Sequence, residues 1–156
     1  MITCFFEKGA KAQLRHVVVH AILEKDNKLL LVKRAGDLLE TGKWSLPSGY
    51  LSRDETAAEG ILRELKEETG IDGEIVKLFR INTNPYRPQE DRQNIALEFI
   101  INPLSDIGTR DVENSKVEWV PFEKLLPLNE FAFDHGETIK LYLKHRKNKF
   151  SLPLVV

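Results

Sequence analysis

Two apolar runs near the start of the chain predict a β-hairpin over residues 15–34. The runs are 16–23 and 29–32, and Asp26-Asn27 between them is a typical turn pair. Neither run alternates strictly between apolar and polar residues, so we expect both strands to lie in a sheet that is covered on both faces. Residues 35–50 contain three glycines and one proline, which indicates a long loop.

The clearest helical pattern covers residues 52–69. Apolar side chains recur at the i, i+3, i+4 and i+7 spacing of one helix face, at Ala58, Ile61, Leu62 and Leu65. Ser52 with Glu55 three residues later fits a capping box at the helix start. Gly70 stands where a left-handed residue ends many helices.

The following segment predicts two strands, at 75–81 and 94–101, joined by the polar loop 82–93. Residues 116–120 are also predicted to form a strand. We expect it to pair with strand 94–101 in the same sheet.

A second helix is predicted at residues 137–146. Asp134 is placed to cap it, and the basic residues 145–147 suit the negative end of the helix dipole. Its expected buried side chains are Ile139, Tyr142 and Leu143. The order of strands, helix, strands and helix predicts one α/β domain over residues 1–156, in three layers with the sheet between the helices.

Composition and charge narrow the class of protein. Hydrophobic residues make up 42% and charged residues 30%, which is the balance of a folded chain rather than a disordered one. The formal net charge is -1, so the chain lacks the broad basic surface that attracts nucleic acid or an anionic membrane. We therefore expect neither nucleic acid nor a membrane as a partner.

The single cysteine, Cys4, excludes an intrachain disulfide and a cysteine-based zinc site. One unpaired thiol suits a reducing compartment, so we expect a cytoplasmic protein. The first residues lack the pattern of a signal peptide, and no run reaches the roughly 18 apolar residues of a membrane span. No histidine spacing suggests a metal ligand among His16, His20 and His135.

The first predicted helix also carries an acidic cluster apart from its apolar stripe. Glu64, Glu67 and Glu68 lie at i, i+3 and i+4, so they share one side of the helix. A hard divalent cation would offset their repulsion, and Mg²⁺ prefers carboxylate oxygens together with substrate phosphates. A solvated acidic face is the alternative explanation of the same pattern.

The residues around this cluster follow a longer pattern. The run from Gly49 to Ile71 reads G-x5-E-x7-R-E-U-x-E-E-x-G-U, in which U is a bulky aliphatic residue. It resembles the motif of the Nudix hydrolase family at every defined position. Segments 29–34, 42–47 and 117–125 also resemble parts of that family.

The resemblance implies an α/β/α sandwich, with a mixed sheet between the motif helix and a C-terminal helix. It also implies hydrolysis of a nucleoside diphosphate linked to another moiety, with Mg²⁺ or Mn²⁺ as cofactor. Carried over by position, Glu67 and Glu68 would bind the metal, and Glu64 would bind it too or act on the attacking water. Arg63 would hold a glutamate in place, and the backbone carbonyl of Gly49 or its neighbour would face the metal.

One position departs from the family. Many members have two glycines where this chain has Ser48-Gly49. If residue 48 needs a positive φ, serine would cost about 1 kcal/mol there.

Residues outside the motif are expected to complete the site. Glu98, or Glu90 or Asp91 instead, is the candidate for an additional acidic metal ligand. We expect further substrate contacts, the arginines on phosphates and the tyrosine on a base or ribose, from Arg34, Tyr86, Arg87 and Arg92. A solvated polar loop is the alternative for residues 82–93.

The substrate is less defined than the family. The proline and tyrosine that mark ADP-ribose and diadenosine-polyphosphate enzymes are displaced here, since position 87 holds arginine and Tyr86 comes too early. We expect a nucleoside triphosphate, including an oxidised form such as 8-oxo-dGTP, because the chain is compact. ADP-ribose or a related dinucleotide is the alternative.

Two other classes remain as alternatives to a nucleotide pyrophosphohydrolase. A nucleotide-sensing domain without catalysis would usually have lost motif glutamates, and all are present here. An RNA-end processing enzyme would favour a basic flank. The apolar tail 152–156 suits a homodimer contact, a strand or a frayed end.

Overall fold

The computed structural model describes residues 2–87, 93–109 and 114–156. It contains two helices, α1 (Ala57–Thr69) and α2 (His135–Lys147), and two short 3-10 turns. The ten strands are β1 (Ile2–Phe5), β2 (Lys11–Leu14), β3 (Val17–Lys25), β4 (Lys28–Arg34), β5 (Trp44–Ser45), β6 (Ser48–Tyr50), β7 (Gly73–Asn82), β8 (Ile95–Pro103), β9 (Asn114–Pro121) and β10 (Leu154–Val155).

The predicted hairpin is confirmed as β3 and β4. Its turn residues, Asp26 and Asn27, have φ values of 50° and 59°, as the tight left-handed turn of a hairpin requires. Beyond the first pairs the two strands diverge. The short strand β6 pairs with the first half of β3, while β4 pairs with β5 and β9.

Strand β3 is the centre of a mixed sheet. It runs parallel to β8, which in turn pairs antiparallel with β7. The predicted pairing of segment 116–120 with strand 94–101 is wrong. Both edges of β8 are already occupied by β3 and β7, so β9 pairs with β4 instead.

The sheet lies between the two helices, which confirms the expected α/β/α layers. On one face Ile61 and Leu65 of α1 pack against apolar side chains of the central strands. On the other face Ile139 and Tyr142 of α2 pack against a second apolar cluster that includes Phe79. Of the face predicted for α2, Leu143 is only partly buried.

Helix α1 begins later than the sequence pattern predicted. Thr56 is the N-cap: its hydroxyl accepts from the Glu59 N–H at 3.2 Å, and Glu59 accepts from the Thr56 N–H at 2.8 Å. The Ser52–Glu55 contact exists, but it closes the preceding turn. Ala58 is exposed and Ala57 packs against the core in its place.

The helix ends as predicted, because Gly70 adopts a left-handed φ of 72°. A side chain would not fit at Gly70, since an added Cβ would lie 2.5 Å from the Gly108 carbonyl carbon. Both ends of α1 are therefore fixed by local chemistry, and the three glutamates of the acidic cluster are held at a defined rotation about the helix axis.

The two ends of the chain form small strands. β1 and β2 form a separate two-stranded sheet, and the tail forms β10, parallel to β7. The strand alternative for residues 152–156 is therefore confirmed. No helix in the described part of the chain is long and apolar enough to cross a membrane.

Candidate active site

A cavity of about 530 Å³ opens where β6 meets helix α1. Its walls also include the first half of β3, the loop after β4, and the segment that enters α2. The motif residues that line it are Gly49, Arg63, Glu64, Glu67 and Glu68. The fold therefore brings these five motif residues together at one opening.

Arg63 organises the acidic side of this cavity. Its Nε and Nη2 atoms donate to the two carboxylate oxygens of Glu55 at 2.9 and 2.7 Å. Its Nη1 donates to both Glu64 and Glu67, each at 2.8 Å. Arg63 thereby lowers the pKa of Glu55 to about 2. These contacts agree with the predicted role of Arg63, which is to hold glutamates in place, and with a structural role for Glu55; both roles stay predictions.

Gly49 is needed because Glu64 lies directly over it. A Cβ added to Gly49 would stand 2.0 Å from the Glu64 carboxylate carbon. Ser48 and Gly49 are both part of β6, paired with His20 and Val19, and neither has a positive φ. The expected cost of serine at position 48 therefore does not arise.

Glu68 is the most enclosed of the three motif glutamates. It is 8% exposed, and its oxygens accept from the Ser48 N–H at 2.8 Å and the Asn114 amide at 3.0 Å. Burial, together with the nearby Glu64 carboxylate, raises the pKa of Glu68 to about 8. Sequence reasoning missed Asn114, because a single asparagine at the start of a strand carries no pattern.

The donor set fits a hard divalent cation by its chemistry. Carboxylate oxygens are preferred ligands of Mg²⁺ and Mn²⁺, and Glu68 is a buried carboxylate whose hydrogen-bond donors are neutral. Within the described residues, however, no three acidic, histidine or cysteine side chains converge closely enough to enclose an ion. Metal binding by Glu64, Glu67, Glu68 and Gly49 therefore stays a prediction.

The residues outside the motif that were predicted to contact substrate differ in where they lie. Arg34 and Arg87 both line the cavity. Arg34 also lies over the Phe133 ring, 5.2 Å from its centroid. Tyr86 is 87% exposed and does not line the cavity, so the structure does not bring it to the site. Arg92 lies outside the described residues.

Arg87 is held by the buried carboxylate of Asp134, a residue that the sequence predicted as a helix cap. Its guanidinium donates to both oxygens of Asp134, at 3.1 and 2.7 Å. Asp134 is at the N-cap position of α2, but its side chain does not cap the helix, which corrects the predicted role. Asn82 donates to the same carboxylate at 2.7 Å.

Glu98 is not placed with the motif glutamates. It is fully buried in β8, where Arg80 donates to its two oxygens at 2.9 and 2.5 Å and Thr138 donates at 3.1 Å. It does not line the cavity. Because the Glu98 carboxylate is already paired with the buried guanidinium of Arg80, the structure argues against Glu98 as a metal ligand. The other acidic candidates, Glu90 and Asp91, lie outside the described residues.

Two histidines that are far apart in the sequence meet at the cavity. His20 of β3 and His135 of α2 stack with ring centroids 4.4 Å apart and planes inclined by 27°. Both line the cavity and both are 2% exposed. Burial lowers the pKa of His20 well below its usual value and that of His135 to about 3, so both rings are neutral near pH 7.

Known proteins resemble the chain in sequence and in fold. A family model for the NUDIX domain matches residues 14–142. An ADP-ribose pyrophosphatase from Methanocaldococcus jannaschii is 35% identical, over 82% of this chain and 73% of its own length. A NUDIX hydrolase structure from Nitrosomonas europaea has a TM-score of 0.80 at 26% identity, covering 99% of this chain and 92% of that one.

A further solved structure supports the fold alone. An ADP-ribose pyrophosphatase from Streptococcus suis has a TM-score of 0.72 at 20% identity, covering 92% of this chain and 100% of that one. The family match includes the whole run from Gly49 to Ile71, and the structure places Gly49, Arg63, Glu64, Glu67 and Glu68 of that run at one cavity. The chain therefore belongs to the Nudix hydrolase family, whose members hydrolyse pyrophosphate bonds.

Proposed function

We propose that this Nudix hydrolase cleaves ADP-ribose. Water would attack one phosphorus, the P–O–P bridge would break, and AMP and ribose 5-phosphate would leave. The observation that carries the proposal is the similarity to the Methanocaldococcus jannaschii ADP-ribose pyrophosphatase over 82% of the chain. It supports the alternative substrate of the sequence analysis over the expected nucleoside triphosphate, which rested only on compact length.

In this proposal Glu64, Glu67 and Glu68 hold Mg²⁺ or Mn²⁺ with the backbone carbonyl of Gly49. The bound ion supplies neutralisation of phosphate charge and lowers the pKa of the attacking water. Arg63 keeps two of these carboxylates in one orientation through its Nη1 atom. Glu64 is either a further ligand or the group that accepts a proton from the water.

Arg34 and Arg87 contact the diphosphate in this proposal. Both residues line the cavity, and arginine pairs well with phosphate oxygens. The Asp134 carboxylate fixes the orientation of Arg87. Tyr86 is left out, because its ring is exposed outside the cavity. The proposal treats residues 1–156 as one catalytic domain in the cytoplasm.

A substrate panel tests this function. Purified protein would be incubated with Mg²⁺ or Mn²⁺ and each of ADP-ribose, common and 8-oxo nucleoside triphosphates, NADH and diadenosine polyphosphates. We expect the highest kcat/KM for ADP-ribose, with AMP and ribose 5-phosphate in equal amounts. A higher kcat/KM for any nucleoside triphosphate would overturn the proposal.

The variant Glu67→Gln provides the control for metal-dependent catalysis. Its side chain is about half-exposed, so the protein should fold normally. We expect a loss of at least roughly a hundredfold in kcat on ADP-ribose, as the carboxylate is removed without a change of shape. Nucleotide binding without hydrolysis in the unmodified protein would favour the sensor class instead.

A further inference from the structure

The stacked pair of His20 and His135 places two neutral imidazole rings in the wall of the cavity. Each ring lines the cavity while being almost fully buried. Nδ1 of His135 accepts from the Leu46 N–H and Nδ1 of His20 is buried without a hydrogen-bond partner, whereas the described residues make no hydrogen bond to either Nε2 atom. A ring nitrogen of a cavity-lining histidine that has no protein partner is available to a ligand.

The protein fixes which nitrogen of His135 carries the proton. The Leu46 N–H donates to Nδ1 of His135 at 3.0 Å, so Nδ1 is the unprotonated nitrogen. A neutral imidazole has one N–H, and here it must be on Nε2. His135 therefore offers a hydrogen-bond donor to the cavity.

His20 has the opposite arrangement. Its Nδ1 is buried and lies 3.8 Å from a carboxylate oxygen of Glu98. This distance is too long for a hydrogen bond, but the Glu98 carboxylate, which is paired with Arg80, favours a proton on the nearer ring nitrogen, Nδ1 of His20. Nε2 then carries the lone pair, so His20, which lines the cavity, offers an acceptor next to the donor of His135.

We propose that His20 and His135 bind the nucleobase of the substrate through its uncharged hydrogen-bonding edge. The inference rests on the proposed function, in which that base is adenine. Adenine presents its N6 amino group, a donor, beside its N7 acceptor, which complements the acceptor of His20 and the donor of His135. Neutral imidazoles are poor partners for phosphate, whereas the arginines that line the same cavity, Arg34, Arg63 and Arg87, carry the positive charge that phosphate prefers.

The two products of the proposed reaction serve as probes, because only one carries a base. Calorimetry would compare the binding of AMP and of ribose 5-phosphate. The variant His135→Asn keeps an acceptor near the Nδ1 position for the Leu46 N–H but removes the donor that faces the cavity. We expect its Kd for AMP to rise roughly tenfold, which is the loss of one hydrogen bond, with no change for ribose 5-phosphate.

Variants of His20 provide a matched pair. His20→Leu removes the acceptor, and we expect a similar rise in the Kd for AMP alone. His20→Gln restores a polar atom near the Nε2 position, and we expect it to recover part of the affinity. Equal weakening of AMP and ribose 5-phosphate in these variants would indicate a structural role and would overturn the proposal.

A spectroscopic measurement on the unmodified protein keeps the proposal falsifiable if a variant does not fold. Side-chain ¹⁵N resonances distinguish the two tautomers of a neutral histidine. We expect the proton on Nε2 of His135 and on Nδ1 of His20, and we expect AMP to shift both Nε2 resonances while ribose 5-phosphate leaves them unchanged. The opposite tautomers, or no response to AMP, would overturn the proposal.

Failure of this inference is separable from failure of the proposed function. If ADP-ribose is hydrolysed but AMP leaves both histidine resonances unchanged, the base is bound elsewhere and the substrate assignment stands. If another nucleotide is the better substrate and AMP still shifts the resonances, the histidines bind a base and the substrate assignment falls.

Discussion

At the scale of single residues, the close approach of Gly49 to Glu64 is the tightest steric constraint in the candidate site. A Cβ at position 49 would stand 2.0 Å from the Glu64 carboxylate carbon, and β6 is fixed by its pairing with β3. The glutamate, not the strand, must therefore move. For Gly49→Ala we expect kcat on ADP-ribose to fall roughly tenfold or more.

Thermal unfolding separates this effect from a loss of fold. The Gly49→Ala protein should unfold within a few degrees of the unmodified protein, since the displaced carboxylate lies at a cavity. Full activity in the variant would contradict the assignment of Glu64 to the reaction.

Arg63 depends on the planar fork of arginine rather than on positive charge alone. Three of its nitrogens reach three carboxylates, and a lysine ammonium group would not span the same set. For Arg63→Lys we expect kcat on ADP-ribose to fall by roughly ten- to a hundredfold with little change in KM.

A matched substitution at the surface controls for the loss of an arginine. Arg53 has a side chain that is 93% exposed and contacts Asp54 at 3.5 Å. Arg53→Lys should leave kcat and KM unchanged. An equal effect of the two substitutions would show that Arg63 acts through charge rather than through its geometry.

At the scale of elements, the buried pair of Asp134 and Arg87 connects the start of α2 to the segment after β7. Burial alone would raise the pKa of Asp134, but the Arg87 guanidinium lowers it overall, so the carboxylate is charged near pH 7. Asp134→Asn would remove the buried negative charge to which the Arg87 guanidinium donates two hydrogen bonds. We expect a decrease of about 3 kcal/mol in the free energy of unfolding, measured in urea.

An exposed carboxylate on the same helix provides the control. Glu137 contacts Lys140 at 3.5 Å with both side chains more than half exposed. Glu137→Gln should change the free energy of unfolding by less than about 1 kcal/mol. A similarly small effect of Asp134→Asn would show that the buried pair contributes little to stability.

The elements differ in how far the sequence predicted them. The hairpin of β3 and β4, the core of α1 and its end at Gly70 follow from local patterns of apolar residues and turn chemistry. The pairing partner of β9 does not follow from such local patterns. Several strands of similar composition could pair with β9, and only the assembled sheet shows which strand edges are free.

The site was predictable to the extent that it lies on one helix. Glu64, Glu67, Glu68 and Arg63 share a spacing that the sequence displays. Asn114 reaches Glu68, and His20 and His135 reach the cavity, only through tertiary packing, so no local pattern contains them. The predicted capping role of Asp134 was wrong for the same reason, since its buried partner, Arg87, lies far away in the sequence.

At the scale of the whole molecule, the buried neutral histidines make stability depend on pH. The pKa of His135 is about 3 in the folded protein and near 6.5 in the unfolded chain. Below pH 6.5 the unfolded state therefore binds a proton that the folded state does not, and the free energy of unfolding decreases as the pH falls towards 3. At pH 5 the titration of His135 alone should make the free energy of unfolding about 2 kcal/mol lower than at pH 7.

Urea unfolding at pH 7 and pH 5 measures this dependence. In His135→Asn the decrease between the two pH values should be smaller by about that amount, since asparagine does not titrate. Identical decreases in the two proteins would show that His135 is not the neutral, enclosed group described above.

The parallel pairing of β3 with β8 has a consequence for how the molecule assembles. Val17 pairs with Ile95, so the entire run from Gly49 to Ile71 belongs to the long loop which that pairing closes. Closing a long loop carries an entropic cost before its contacts form, so the central strand pair should form late in folding, after the local hairpin and helix. A fragment that stops short of Ile95 would contain every residue of the motif and still have no cavity in which to use them.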